Sequence, residues 1–326
     1  ARLFLERGYD VDVINWDDNR FIPKKKYAVC IDLHRNLERL HPFLGQTCIK
    51  VMHVVSSRLS SLTTAEQVRI KALEKRRGVV FTPQRSIRHS DNPRYADFLA
   101  GYGNKTVHDT YRAFGKKIIP IPIPAMETYD FPDRKDFAAA RKRFLWFGGG
   151  GAILKGLDLV IETFASLPHL HLIIIGPASY EKEFEKLYAR ELTQPNITRH
   201  GRPQIDKNGN IRVGNKNLLD IFNQCGATVF LSASEGTAGA TVHAMQAGLF
   251  PIVTPQTGID ERTPSVIIAN PTLENIRRAV LDFSNIPAQK VKELATDTWS
   301  FARQHYTKES FSKAYGNFID NVLKLS

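Results

Sequence analysis

Residues 227–254 read ATVFLSASEGTAGATVHAMQAGLFPIVT. Ala227 to Ser232 is an apolar run of strand length, and Ala238 to Gly248 has helical spacing closed by a C-terminal glycine. Pro251 to Thr254 is a second short strand. Strand, helix and strand in close succession form the unit of a parallel sheet with crossover helices. Between the first strand and the helix stands Glu235, followed by Gly236, Thr237, Ala238 and Gly239. The strand delivers this carboxylate to the carboxyl edge of the sheet. The turn behind it opens a helix whose first N–H groups have no partner inside the helix. Such a turn holds a pyrophosphate or a sugar hydroxyl, or else its carboxylate simply caps the helix.

The alternation extends on both sides. Upstream come a strand at Phe144–Phe147, four glycines at 148–151, a helix at Gly156–Leu167 and an apolar strand at Leu170–Ile175 that ends in Gly176. A charged helix at Ser179–Leu192, a strand at Ile197–Gly201 and a helix at Asn217–Cys225 follow. Downstream lie a strand at Val266–Ala269 and helices at Leu273–Phe283 and Ala288–Tyr306. This is an α/β pattern that predicts a doubly wound parallel sheet. Ligands of such sheets bind at the strands' carboxyl ends, here the loops 148–155, 176–179, 201–204, 233–239 and 254–258.

The first half reads as a second Rossmann-like unit. Its expected strands are Val11–Asn15, Tyr27–Asp32, Ile49–Val55 and Val79–Thr82, and its expected helix is Thr64–Arg77. Lys117 to Pro124 places a proline at every second position, which no central strand accepts, so it reads as a stiff exit from the domain. Thr128 to Arg143 reads as a charged helix at the boundary. The opening residues 1–8 read as the end of a helix, so the first strand of this unit is expected before residue 1.

A chain of 326 residues suits two domains. No apolar run nears the roughly 18 residues that span a bilayer, and residues 1–8 lack the apolar stretch of a secretory leader. Cys30, Cys48 and Cys225 match no metal spacing and read as core residues of a reducing, cytoplasmic compartment. The net charge of +12 is uneven: residues 1–143 carry 27 Lys/Arg against 16 Asp/Glu, and residues 144–326 carry 18 against 17. A basic first half is either a solvated surface or a face for an anionic membrane or acceptor. Stretches such as Lys24–Lys26 and Lys75–Arg77 lack interleaved aromatics, so nucleic acid is not an expected partner.

The glycine turn leads from Phe147 through Gly148, Gly149, Gly150 and Gly151 to Lys155-Gly156. Glycines let a backbone approach a phosphate closely, and Lys155 adds positive potential. The spacing is neither that of a P-loop nor that of a dinucleotide fingerprint, and such a turn is also a common tight connection.

Together the two motifs resemble the donor half of two-domain, retaining glycosyltransferases of the GT-B fold, the GT4-like or group 1 family. The likeness rests on the glycine turn with Lys155-Gly156-Leu157-Asp158, on Ile173-Ile174-Ile175-Gly176, and on Glu235 followed by Ala244-Met245-Gln246-Ala247-Gly248-Leu249-Phe250-Pro251-Ile252-Val253. It covers residues 144–260 well. The first half is similar in strand order, and Trp299–Leu325 resembles closing helices that cross back to the first domain.

The resemblance implies two facing Rossmann-like domains, residues 1–125 on the acceptor side and 126–300 on the donor side, with 301–326 returning to the first. It implies sugar transfer from a nucleotide-sugar to a glycan or lipid-linked acceptor, with no metal or other cofactor. Lys155 would stabilise the leaving diphosphate and Glu235 would orient the donor sugar. The glycine turn with Gly149 and Gly150, Gly176, and the backbone of Gly236, Thr237, Ala238 and Gly239 would line the donor site. Arg202 would meet the base. His53, after a strand of the first half, stands near where the family places a histidine facing the sugar, and a core or loop role suits it equally. His34 is a weaker candidate.

Two positions depart from the pattern. His243 stands where a second glutamate is expected and offers one hydrogen bond in place of bidentate ribose capture. Gly150 stands where an arginine is expected, which leaves more of the diphosphate's charge to Lys155. A catalytically weak nucleotide-sugar-binding module and a nucleotide-sugar epimerase on the same fold are the alternatives.

Overall fold

The computed structural model describes residues 1–83, 90–176, 181–207 and 211–323. Two all-parallel sheets organise them. The first joins β1 (Val29–Asp32), β2 (Ile49–Val54), β3 (Phe98–Gly101) and β4 (Ile118–Pro120) in that spatial order. The second contains β5 (Arg143–Phe147), β6 (His171–Ile175), β7 (Ile197–His200), β11 (Ala227–Phe230), β12 (Phe250–Val253) and β13 (Val266–Ile267). Its spatial order is β13-β12-β11-β5-β6-β7. A small antiparallel sheet of β8 (Gln204–Ile205), β9 (Ile211–Val213) and β10 (Lys216–Asn217), absent from the sequence reading, lies between β7 and β11 in the chain.

The second sheet is covered on both faces, as parallel sheets require. Phe144, Trp146, Leu172 and Ile174 point into one core cluster, and Leu145, Ile173 and Ile175 point into another. That two-sided burial is why its strands read as continuous apolar runs. The first sheet packs Leu99 and Val54 on one side and Val51, Ala100 and Ile121 on the other. Its second cover is the last helix, Lys308–Leu323, which brings Tyr315, Phe318, Ile319 and Val322 back across the chain.

Several expected elements differ. Val11–Asn15 forms no strand, and Val13 is 77% exposed. β1 pairs with β2 and is the outer strand of its sheet, so residues 11–15 add no further strand to it. Val79–Thr82 is likewise irregular; its apolar content serves to bury Phe81 in the second sheet's core. Thr128–Arg143 is helical only at Phe137–Ala140. Its aromatic residues dock instead of facing solvent: Phe131 packs edge-on against Trp299, whose Nε1 donates to the Tyr129 carbonyl at 2.8 Å. The predicted helix at 179–192 is two short ones, Lys182–Leu187 and Ala189–Leu192, and residues 179 and 180 lie outside the described segments. The proline-rich exit does pair, as the edge strand β4, where a missing N–H is tolerated.

The helix Leu59–Arg77 follows β2 yet buries Ile70 and Leu73 in the core cluster of the second sheet. Its last turn closes the contact with charge. Arg76 meets Asp158 at 2.6 Å and Glu162 at 3.2 Å, and Arg77 meets Glu191 at 2.7 Å. No described helix is long and apolar enough to cross a membrane.

Candidate functional site

The strand order of the second sheet reverses between β5 and β11. Loops leaving two such strands diverge to opposite sides and open a crevice at their carboxyl ends. β5 runs into the glycine turn and β11 runs into Glu235, so the fold sets both motifs at the same crevice. They are also fastened together: the Ala233 N–H donates to the Leu154 carbonyl at 2.8 Å. A Cβ at Gly156 would lie 2.6 Å from the Leu231 carbonyl, so this approach needs glycine.

At the crevice the Lys155 ammonium and the Glu235 carboxylate form an ion pair, Nζ to Oε1 3.1 Å. Both side chains are mostly covered, 14% and 20% exposed. The Ser232 hydroxyl donates to the same Oε1 at 3.2 Å, and the ammonium stands 5.6 Å from the centre of the Phe230 ring. A cation and an anion share one half-buried position, beside exposed Gly149 and Gly150. The arrangement can neutralise a phosphate through Lys155 and accept sugar hydroxyls through Glu235.

The first sheet reaches this turn directly. Ser57, just past β2, donates its N–H and its hydroxyl to the Glu235 carbonyl at 2.9 and 2.8 Å. Gly103, past β3, donates to Thr237 Oγ1 at 3.0 Å, and that hydroxyl donates to the Gly258 carbonyl at 3.1 Å. Gly236 is pressed so close that a Cβ there would lie 2.1 Å from the Val55 carbonyl. Its glycine therefore serves the meeting of the two halves. The Ala238 N–H donates to Thr257 O at 2.8 Å, and Gly239 is the exposed member of the turn.

The remaining predicted residues divide. Gly176 is buried, and its φ of 141° carries the backbone past Gly148, whose carbonyl a Cβ would meet at 1.9 Å. That close approach alone accounts for the glycine. Arg202 is exposed, just beyond β7. His53 is not at the end of its strand but inside β2, where it packs against Tyr102 at 4.9 Å and Tyr315 at 5.4 Å between ring centres. Its Nδ1 is buried without a partner among the described residues, and burial pulls its pKa down to about 4. The segment after β2 instead brings Ser57 to the Glu235 carbonyl and Val55 against Gly236. His34, past β1, sits edge-on to Trp16.

His243 is buried in an aromatic box. Tyr129 lies nearly parallel to it, 5.5 Å between centres, with its hydroxyl 2.8 Å from Nε2. Phe222 covers it edge-on at 5.6 Å. Burial holds it neutral, with a pKa of about 4, and pushes the Tyr129 hydroxyl upward. The ring nitrogen facing Tyr129 is already engaged.

Three residues at or near the crevice escaped the sequence reading. Ser57 carried a faint signal, a polar residue past a strand. Tyr129 was hidden in a segment that resembles a charged helix. Glu181 accepts from the Gly151 N–H at 2.6 Å and from the Ala152 N–H at 3.0 Å, and nothing in its local sequence points to the glycine turn.

The model of the family "Glycosyl transferases group 1" matches residues 141–285. No curated protein matches the chain in sequence. Among solved structures, the chain is similar to sucrose-phosphate synthase from Thermosynechococcus elongatus, with a TM-score of 0.63, 12% identity and coverage of 92% of this chain and 75% of that one. It is also similar to a mutant of S. aureus TarM in complex with fondaparinux, alpha-GlcNAc-glycerol and UDP (TM-score 0.56, 15% identity, 83% of this chain, 51% of that one). The pneumococcal O-GlcNAc transferase GtfA, in complex with UDP and GlcNAc, is a third (TM-score 0.57, 13% identity, 90% and 57%). The chain thus spans about half the length of TarM and GtfA. At these identities the likeness establishes the fold, GT-B, and the family model adds a match to the glycosyl transferases group 1 pattern over residues 141–285, less than half of the chain.

Proposed function

We propose that this chain transfers a sugar from a nucleotide-sugar donor to a glycan or lipid-linked acceptor, with retention at the anomeric carbon. The observation that carries the reading is the Lys155–Glu235 pair at the crevice where the second sheet reverses. Lys155 takes the charge that develops on the leaving diphosphate, and Glu235 orients the sugar through its hydroxyls. Binding of the donor exchanges the internal ion pair for contacts with phosphate and sugar. Gly149, Gly150 and Gly239 border the site, and Arg202 approaches the base. No step in this scheme calls for a metal ion.

The working division is 1–125 for the acceptor side, 126–300 for the donor side and 301–326 for the returning helix. The positive balance of residues 1–143 supports an anionic acceptor or a peripheral contact with an anionic membrane on the first side. UDP, present in the TarM and GtfA structures, is the first probe. Calorimetric titration with UDP, GDP and ADP tests the reading; binding by none of them would refute it.

A second reading, a nucleotide-sugar-binding module without turnover, draws on His243, whose ring is buried against Tyr129 and offers little to a ribose. Binding with no sugar transfer to any offered acceptor would favour it.

A further inference from the structure

The glycine turn already holds an anion supplied by the chain. Glu181 stands just before the helix Lys182–Leu187, and 30 residues separate it from Gly151. Its Oε1 takes the Gly151 N–H at 2.6 Å, and both carboxylate oxygens take the Ala152 N–H at 3.0 Å. Two consecutive backbone N–H groups on a pair of anionic oxygens is the contact that a phosphate makes with such a turn. The same turn leads into Lys155, whose N–H donates to the Gly151 carbonyl at 2.9 Å, while the Lys155 ammonium is taken by Glu235. The N–H pair and the ammonium, two sources of positive potential at the crevice, are therefore each matched by a carboxylate of the chain. Among the described residues, a Cβ at Gly149 would meet nothing within 4 Å, and one at Gly150 would come within 3.9 Å of Glu181 Oε1.

We propose that Glu181 is an internal competitor for the phosphate end of the donor. This rests on the donor-site reading above and adds its regulation. Without donor, the Glu181 carboxylate occupies the Gly151 and Ala152 N–H groups. A diphosphate-bearing ligand takes them over and Glu181 turns out to solvent. The apparent affinity for any diphosphate is then the intrinsic affinity reduced by the fraction of molecules in which the turn is vacated. Glu181 thereby sets the donor concentration at which the site fills, without contributing to recognition of base or sugar.

The test replaces Glu181 by Gln in the full chain. Glutamine keeps one acceptor oxygen for the turn and removes the charge. Calorimetry with inorganic pyrophosphate and UDP should show Glu181→Gln binding both about ten-fold more tightly than the parent, with binding of uridine unchanged. Equal or weaker binding of both phosphates by the variant would overturn the competition and leave the donor reading standing. Failure of both proteins to bind UDP, GDP or ADP would remove the donor reading, and the competition with it. A second measurement covers a variant that folds poorly. In the parent protein, titration with pyrophosphate should shift the backbone amide resonances of Gly151 and Ala152, and unmoved resonances at saturation would overturn the proposal.

Discussion

Lys155 Nζ lies 3.1 Å from Glu235 Oε1, and the two side chains come from loops that leave neighbouring strands, β5 and β11, on either side of the sheet's reversal. Glu235 is held by more than this pair. Its carbonyl takes two hydrogen bonds from Ser57, so its backbone position is set by the first half of the chain while its carboxylate faces the second. The ion pair thus reports on the join of both halves.

Glu235→Gln separates these two roles. The Ser57 contacts are to the main chain and survive the change. The variant should keep its melting temperature within a few degrees and bind UDP within about three-fold of the parent. Its turnover should fall about a hundred-fold or more, because the charge that orients the sugar is lost. A radiolabelled-donor hydrolysis assay beside calorimetry checks the split; equal losses in binding and turnover would contradict it.

The glycines at the crevice are not equivalent. Gly149 is exposed, and among the described residues nothing lies within 4 Å of its Cβ position, so Gly149→Ala should unfold within about 0.5 kcal/mol of the parent. Gly176→Ala forces a Cβ into the Gly148 carbonyl at a φ of 141° and should cost about 3 kcal/mol or more. Urea unfolding of the two variants decides this.

Arg76→Ala should be among the most damaging substitutions of a partly exposed residue. It strips from Asp158, whose side chain is 1% exposed, the cation that hydrogen-bonds it, and leaves Arg69 as the remaining nearby charge. Leaving that carboxylate buried without its hydrogen-bonded cation should cost about 3 kcal/mol, against almost nothing for exposed Lys75→Ala. Thermal unfolding of the pair of variants measures the difference.

Two buried histidines make stability depend on pH. Burial lowers His53 and His243 from 6.5 to about 4 in the folded chain. Between those values the unfolded chain binds more protons, so stability is present above pH 6.5 and is lost as pH falls towards 4. Each histidine can account for about 3 kcal/mol across that window. His53→Phe, which fills the place between Tyr102 and Tyr315 with another ring, should flatten the curve of urea midpoint against pH. An unchanged slope would show that His53 is protonated at its ordinary value in the fold.

The sequence was most readable where its strands are buried on both faces. Leu172–Ile175 and Ala227–Phe230 are continuous apolar runs that only a covered parallel sheet explains, and the turns behind β5 and β11 follow from that sheet's topology. It misled where an apolar pattern serves a different contact. Val11–Asn15 is strand-like in composition but stays out of the sheet, Phe81 is apolar in order to dock, and Tyr129 sits in a helix-like charge pattern to stack on His243. His53 carried the right residue type, but the strand runs on past it and turns it towards the last helix. Glu181 and Ser57 reach the crevice from 30 and 178 residues away, distances that no local pattern encodes.

The central claim is that Lys155 holds the diphosphate of a nucleotide donor. Calorimetric titration of UDP, GDP and ADP into the parent chain and into Lys155→Ala tests it most directly. The parent should bind at least one of the three, and Lys155→Ala should bind that one about thirty-fold more weakly, as expected for the loss of a charge-assisted contact to phosphate. An affinity unchanged by Lys155→Ala, or no binding to the parent at all, would contradict it.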